Sequence, residues 1–286
     1  MKDDLLQRIS EMMPEFSKGQ KLIAKYILEH YEKAAYMTAL KLGNTVNVSE
    51  STVVRFANKL DFEGYPQLQR SLQSHIKNRL TSIQRMDVTR SRIGTLNPVE
   101  GVLNQDIDKI RRTMDSVSHE AFDKAVDIIC SAKNIYIQGA MSSGILANFM
   151  HYYLRLIFDN VSHIGAVGTN ELYQQMVHIG KGDVLIALSF PRYATSTIEA
   201  CKFAYDSGAH IIAITDSESS PLVQYADCPL YAYSDMVSFV DSIVAPMSLI
   251  NALIVAVSDR NRESVELNFN KLERLWERNE VYKKDV

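Results

Sequence analysis

Hydrophobic and polar positions along the 286-residue chain fall into two regimes that change near Asn134. From Leu5 to about Leu80 the apolar positions recur at helical spacing. Leu22, Ile23, Tyr26 and Ile27 mark one buried helix face, and Ser17 with Gln20 three residues on is a capping-box signature. That helix is predicted to end near His30. A short helix is predicted from about Thr38 to Val46, with Leu40, Leu42 and Val46 as its apolar positions, followed by Asn47, which tolerates the left-handed conformation. Ser49 then caps a third helix, with Val53, Val54, Ala57 and Leu60 as its buried stripe. A turn over Asp61–Tyr65 closes the unit. A further helix opens at Pro66, where a missing amide hydrogen costs nothing, and runs to about Arg79. Residues 80–97 have no apolar periodicity and carry Arg85, Arg90 and Arg92, which marks a linker. Helices opening at Asn97-Pro98 and near Ser118 follow it.

Beyond Asn134, short apolar runs bounded by turn residues alternate with helix-length stretches. The runs are Ile135-Tyr136-Ile137, Val184 to Leu188 and Ile211 to Ile214. Unbroken apolar strands are buried on both faces, which implies a parallel sheet covered by helices. Ligands of such sheets sit at the carboxyl ends of the strands, so the loops after Ile137, Leu188 and Ile214 are where function is expected. Ser242 to Ser258 is uncharged but contains Pro246, Ser248 and Asn251, and it reads as a buried core helix rather than a membrane span.

The predicted class is therefore an all-α N-terminal domain followed by an α/β doubly wound parallel sheet. The boundaries are 1–80, a linker and connecting helix over 81–119, and 120–286. The short helix, the Asn47 turn and the helix capped by Ser49 have the dimensions of a helix-turn-helix. Ser51, Thr52, Arg55 and Lys59 face outward and mix short hydrogen-bonding groups with bases, as base-edge and phosphate contact requires. The same spacing also fits an ordinary three-helix bundle with a solvated polar face.

Composition narrows the class further. With 46% hydrophobic residues, 12 Gly and 7 Pro, disordered and collagen-like chains are excluded. The net charge of −3 hides a split. Residues 1–100 hold 15 Lys and Arg against 11 Asp and Glu, net +4, and residues 101–286 hold 16 against 23, net −7. Cys130, Cys201 and Cys228 form no CxxC or His-paired pattern, so no metal and no cofactor is implied. The start, Met1-Lys2-Asp3-Asp4, lacks the regions of an export signal, and a cytoplasmic protein without a membrane partner is expected.

The run from Val48 to Tyr65, with Ile27 to His30 before it, resembles the N-terminal domain of the RpiR family of bacterial transcriptional regulators. The match is dense and ungapped; Asn47 and Asp61 stand where the family has glycine. The resemblance implies that Ser49 caps a recognition helix, that Ser51, Thr52 and Arg55 face the major groove of operator DNA, that Lys59 faces phosphate, and that Glu50 accepts from cytosine or supports the cap. Residues 120–260 resemble the SIS (sugar isomerase) domain that follows in these regulators, through Ile135 to Gly144, Gly182 to Phe190 and Gly208 to Asp216.

That second resemblance implies an anion pocket for a sugar phosphate or related carbohydrate acid, controlling a catabolic operon. Gly139, Ser142 and Ser143 lie after the first strand, where hydroxyls and helix-start amides can hold an anion. Ser189 ends the next strand. The family's Ser-x-Ser-Gly-x-Thr pattern becomes Ser189 to Ala194 here, losing two hydroxyls and gaining the guanidinium of Arg192, with Tyr193 beside it. Met141 at a glycine position is expected to narrow the first loop. His163 and Glu171 are further effector-binding candidates, and Asp241 and Ser242 read as cap and core. A homodimer or homotetramer is expected, with Arg262 to Tyr282 as the amphipathic contact. The alternative is an aldose-ketose isomerase using Glu199 or Glu171 as base.

Overall fold

The computed structural model describes residues 5–76, 83, 97–165, 168–234 and 240–282. The linker expected over 80–97 and the end of the helix expected to reach Arg79 lie almost wholly outside them. The chain divides into two compact units, the first essentially the residues up to Pro98 and the second Val99–Val237 with Asp241–Val286.

The first unit is helical: α1 Leu5–Glu11, α2 Lys18–Glu29, α3 Tyr31–Ala34, α4 Ala39–Thr45, α5 Glu50–Lys59 and α6 Tyr65–Ile76. Its starts are set by short polar side chains. Ser17 accepts from the Gln20 amide while the Gln20 side chain accepts from the Ser17 amide, and Thr38 and Ser49 cap α4 and α5 alone. Its core is Ile9, Ile23, Ile27, Leu42, Val53, Phe56, Leu60, Leu68 and Leu72, with the Phe16 and Phe56 rings 5.0 Å apart. Three expected core positions are exposed instead. Leu22, expected on the inner face of α2, is 45% exposed, one step of about 100° around the helix from buried Ile23. Leu40 lies on the side of α4 away from Leu42 and Gly43, and Val54 is one step of about 100° around α5 from buried Val53.

The second unit carries α7 Pro98–Ser116, α8 His119–Ser131, β1 Ile135–Gly139, α9 Ser142–Ile157, β2 Val161–Ile164, α10 Thr169–Met176, β3 Val184–Leu188, α11 Thr195–Asp206, β4 His210–Thr215, β5 Cys228–Tyr231, α12 Val244–Arg260 and α13 Arg262–Arg278. The sheet is wholly parallel in the order β2-β1-β3-β4-β5. One face is covered by α8, α9 and α12 through residues such as Ile129, Met150 and Leu253. The other is covered by α10 and α11 through Leu172, Met176, Ala200 and Cys201. Helices on both faces explain why β1, β3 and β4 read as unbroken apolar runs, and why β2 and β5, at the edges, do not. Among the described residues no helix is long and apolar enough to cross a membrane. Ser242 is buried, but neither it nor Asp241 caps α12, whose cap position is Ile243 with no side-chain bond.

Candidate functional site

In the first unit the turn between α4 and α5 is held by a close backbone approach. The Val48 amide donates to Gly43 O at 2.9 Å, and a Cβ on Gly43 would lie 2.7 Å from Val48 O, so no larger residue fits there. The turn itself passes through Asn47 at φ 56°, and Asp61 at φ 60° ends the next helix. At the C-terminal end of α5, Arg8 donates to Leu60 O at 2.6 Å and stacks over Phe62. The start of α5 presents a hydroxyl cluster: Ser49 Oγ lies 2.9 Å from both Ser51 Oγ and Thr52 Oγ1. Arg55 folds back onto it, donating to Ser51 O at 3.3 Å and reaching Thr52 Oγ1 at 3.5 Å. Glu50 sits exposed in the first turn, and Lys59 pairs with Glu15 at 3.2 Å, both solvent-exposed. The six residues singled out from the sequence thus share one helix, with the Ser49 hydroxyl both capping it and joining its polar face.

In the second unit, a 2-1-3-4-5 strand order reverses direction between β1 and β3, and the crevice at such a reversal is where open α/β sheets hold ligands. Gly139 pairs in register with Leu188, so the loops carrying Ser142 and Ser143 and carrying Ser189, Arg192 and Tyr193 leave the sheet side by side. Gly139 itself is steric: a Cβ there would lie 2.5 Å from Ser143 O. Ser143 and Ser189 are buried at this edge. The Ser143 and Gly144 amides turn inward onto Ala140 O and Met141 O, so they are not both free for an anion as the sequence had implied.

Ser142 Oγ donates to Asp241 Oδ2 at 3.2 Å, and Tyr193 Oη donates to Asp216 Oδ1 at 2.6 Å. Burial, with the Asp216 carboxylate beside it, holds the Tyr193 phenol well above its ordinary pKa, so it stays a donor to Asp216. Thr215 Oγ1 bridges Ser189 O and Ser220 Oγ, 2.8 Å from each. Arg192, by contrast, is exposed and makes no hydrogen bond or ion pair among the described residues. Met141 does not narrow the loop: its side chain is 81% exposed, on a backbone at φ 55°, ψ −125°.

Two candidates lie apart from this cluster. His163 pairs with Ile137 within the sheet and packs its ring 5.6 Å from His151 of α9. Burial first, and then the Arg155 charge for His151 and the His151 charge for His163, hold both imidazoles below their ordinary 6.5. Glu171 is exposed in the first turn of α10. The sequence reading missed Thr215, Asp216 and Ser220; the signal was the hydroxyl-rich run after β4, in a loop already marked by its position.

The model of the helix-turn-helix domain of the RpiR family matches residues 3–79, and the SIS domain model matches residues 128–256. The chain belongs to the RpiR family. It is a helix-turn-helix transcriptional regulator with a SIS domain. It is 24% identical to an uncharacterized HTH-type transcriptional regulator of Caldanaerobacter subterraneus over 92% of this chain and 93% of that one. It is 25% identical to the HTH-type transcriptional regulator HexR of Escherichia coli, over 78% of this chain and 75% of that one. The sugar isomerase domain of an RpiR transcription factor from Sphaerobacter thermophilus superposes with a TM-score of 0.59 at 26% identity, covering 62% of this chain and 98% of that one. The Vibrio vulnificus NanR protein, solved with ManNAc-6P, shares the fold at a TM-score of 0.56 and 20% identity, covering 95% of this RpiR-family chain and 98% of that one.

Proposed function

We propose that residues 1–80 of this regulator read operator DNA while residues 120–286 sense a small anionic carbohydrate derivative, a sugar phosphate or sugar acid, to control a catabolic operon. Residues 81–119 connect the two. The observation that carries this reading is a Ser49-capped polar helix in the same chain as a switch-point crevice, where the exposed Arg192 of the loop after β3 has no hydrogen bond or ion pair among the described residues. Ser51, Thr52 and Arg55 read base edges, Glu50 supports the cap or a cytosine amino group, and Lys59 exchanges Glu15 for a phosphate.

In the crevice the chemistry divides. Arg192 binds the anionic group bidentately. The Ser142 proton is directed at Asp241, so Ser142 offers lone pairs and Asp241 accepts from ligand hydroxyls. A molecule with an anion at one end and hydroxyls at the other satisfies both. The phosphosugar bound by the Vibrio vulnificus protein is of this class. The protein acts in the cytoplasm as a homodimer or homotetramer, whose paired recognition helices meet half-sites about 34 Å apart or a multiple of it.

The isomerase reading is disfavoured by geometry. Glu199 lines a surface groove with Tyr173, Lys202, Phe203 and Asp206 rather than the crevice, and Glu171 is exposed on α10. Thermal-shift titration with aldose and ketose phosphates and with sugar acids tests the proposal. A saturable rise in melting temperature is expected, following ligand concentration over Kd and lost in Arg192→Ala. No shift with any of these classes, or steady turnover of a sugar phosphate, overturns it.

A further inference from the structure

α7 is amphipathic in the reverse of the usual sense. The residues it buries are Gly101, Lys109 and Thr113, while Leu103, Ile107, Ile110 and Met114 stand 57%, 45%, 36% and 70% exposed. Rotation of the helix is fixed by polar contacts on its inner side. Lys109 Nζ pairs with Asp106 Oδ1 at 3.1 Å, and Ser242 Oγ donates to the same Asp106 oxygen at 2.7 Å. Thr113 Oγ1 accepts from the Tyr233 amide at 3.0 Å, and the Arg112 guanidinium lies 4.0 Å from the Tyr233 ring centroid. The apolar ridge is therefore held outward, leaving on the order of 400 Å² of apolar side chain in water, a patch of the size that marks interaction sites on monomers.

The ridge has the spacing of a helix-pairing seam: 103, 107, 110, 114 and, just past the helix, Val117, a 4-3-4-3 repeat. Beside it runs a groove of about 400 Å³ lined by Met114, Phe122, Leu249 and Ala252. Beyond the groove, α12 turns an uncharged outer face, Val244, Ser248, Ala252 and Val255, toward solvent. The charges of α7 are graded along its length: residues 98–108 carry Glu100, Asp106 and Asp108 and no base, and residues 109–116 carry Lys109, Arg111 and Arg112 against Asp115. A copy of α7 laid antiparallel sets opposite signs together, whereas a parallel copy opposes like signs.

We propose that this ridge is the seam between two copies of the chain, packed antiparallel α7 on α7 about a two-fold axis between Ile107 and Ile110, with the α12 faces extending the contact. An isologous pairing of this kind closes on itself, and it assigns the dimer contact to α7 rather than to α13. The inference rests on the pairing proposed above, but sedimentation is read without DNA or effector, so its failure is separate from absent operator binding by the wild-type chain. The full-length protein is sedimented over a concentration series. The wild type is expected as a dimer of the 32.4 kDa chain. Ile107→Glu/Ile110→Glu is expected to weaken association at least 100-fold with an unchanged melting curve, and Leu267→Glu/Leu275→Glu on α13 to leave it intact. Should the α7 variant fold poorly, oxidised Ile107→Cys/Ile110→Cys is expected to give a covalent dimer on a non-reducing gel. A monomeric wild type, a dimer untouched by the α7 charges, or a cysteine variant that stays monomeric overturns the assignment; loss of the dimer in the α13 variant alone gives the seam to α13.

Discussion

Single residues in this protein carry strain and charge where the crevice is. Met141 occupies φ 55°, ψ −125°, a region that side chains disfavour by about 1–3 kcal/mol, while most of its side chain gains nothing by contact. Met141→Gly is therefore expected to raise the unfolding free energy by about 1 kcal/mol or more in urea titration, after allowing for the extra chain entropy of glycine. A destabilised variant would show that the Met141 side chain makes contacts outweighing its backbone. The His151–His163 pair gives a second expectation. A base whose folded pKa lies below its unfolded 6.5 binds fewer protons when folded, so its contribution is complete above about pH 7 and is lost as pH falls from 6.5 toward the lower folded value. The melting temperature should drop between pH 7.5 and pH 5.5, and His151→Gln/His163→Gln should drop less over the same interval. Equal slopes for the two proteins would mean that other groups govern the acid side.

At the scale of elements, the proposed reading of DNA rests on α5 and the turn before it. Arg55 is exposed and spans Ser51 and Thr52 on the helix surface, so Arg55→Ala is expected to leave the thermal midpoint within a degree or two while raising the operator Kd by at least tenfold in a mobility-shift titration. Unchanged affinity would remove Arg55 from the readout. Much of this was legible beforehand. Capping residues are local, so Ser17, Thr38, Ser49 and Ser118 place their helices to within a residue, and apolar runs place the central strands. What escaped depends on which side of an element meets a neighbour. Leu40 and Val54 are apolar residues whose exposure no period predicts, and Asp216 and Asp241 matter only because folding brings them to Tyr193 and Ser142, 23 and 99 positions away in the chain.

For the whole molecule, sensing requires that the effector distinguish two arrangements of the chain, since a ligand of equal affinity for both shifts nothing. A covalent neighbour relation supplies a route. Asp241 holds Ser142 at the crevice, and the next residue, Ser242, holds Asp106 of α7, the helix that begins at Pro98 where the first unit ends. Under the proposed function, a ligand whose hydroxyls donate to Asp241 pulls on the segment that anchors α7. Ser242→Ala cuts this connection without touching Arg192, Ser142 or Asp241, and Lys109 still satisfies Asp106. Its effector-induced thermal shift is therefore expected to stay within twofold in apparent Kd, while the effector's effect on operator affinity falls from its wild-type factor toward one. Both are read at a single salt concentration, because operator affinity itself falls with added salt, with a log–log slope of about −0.9 per phosphate contact. Loss of effector binding would place Ser242 in the pocket, and full retention of the coupling would take the route through α7 off the table.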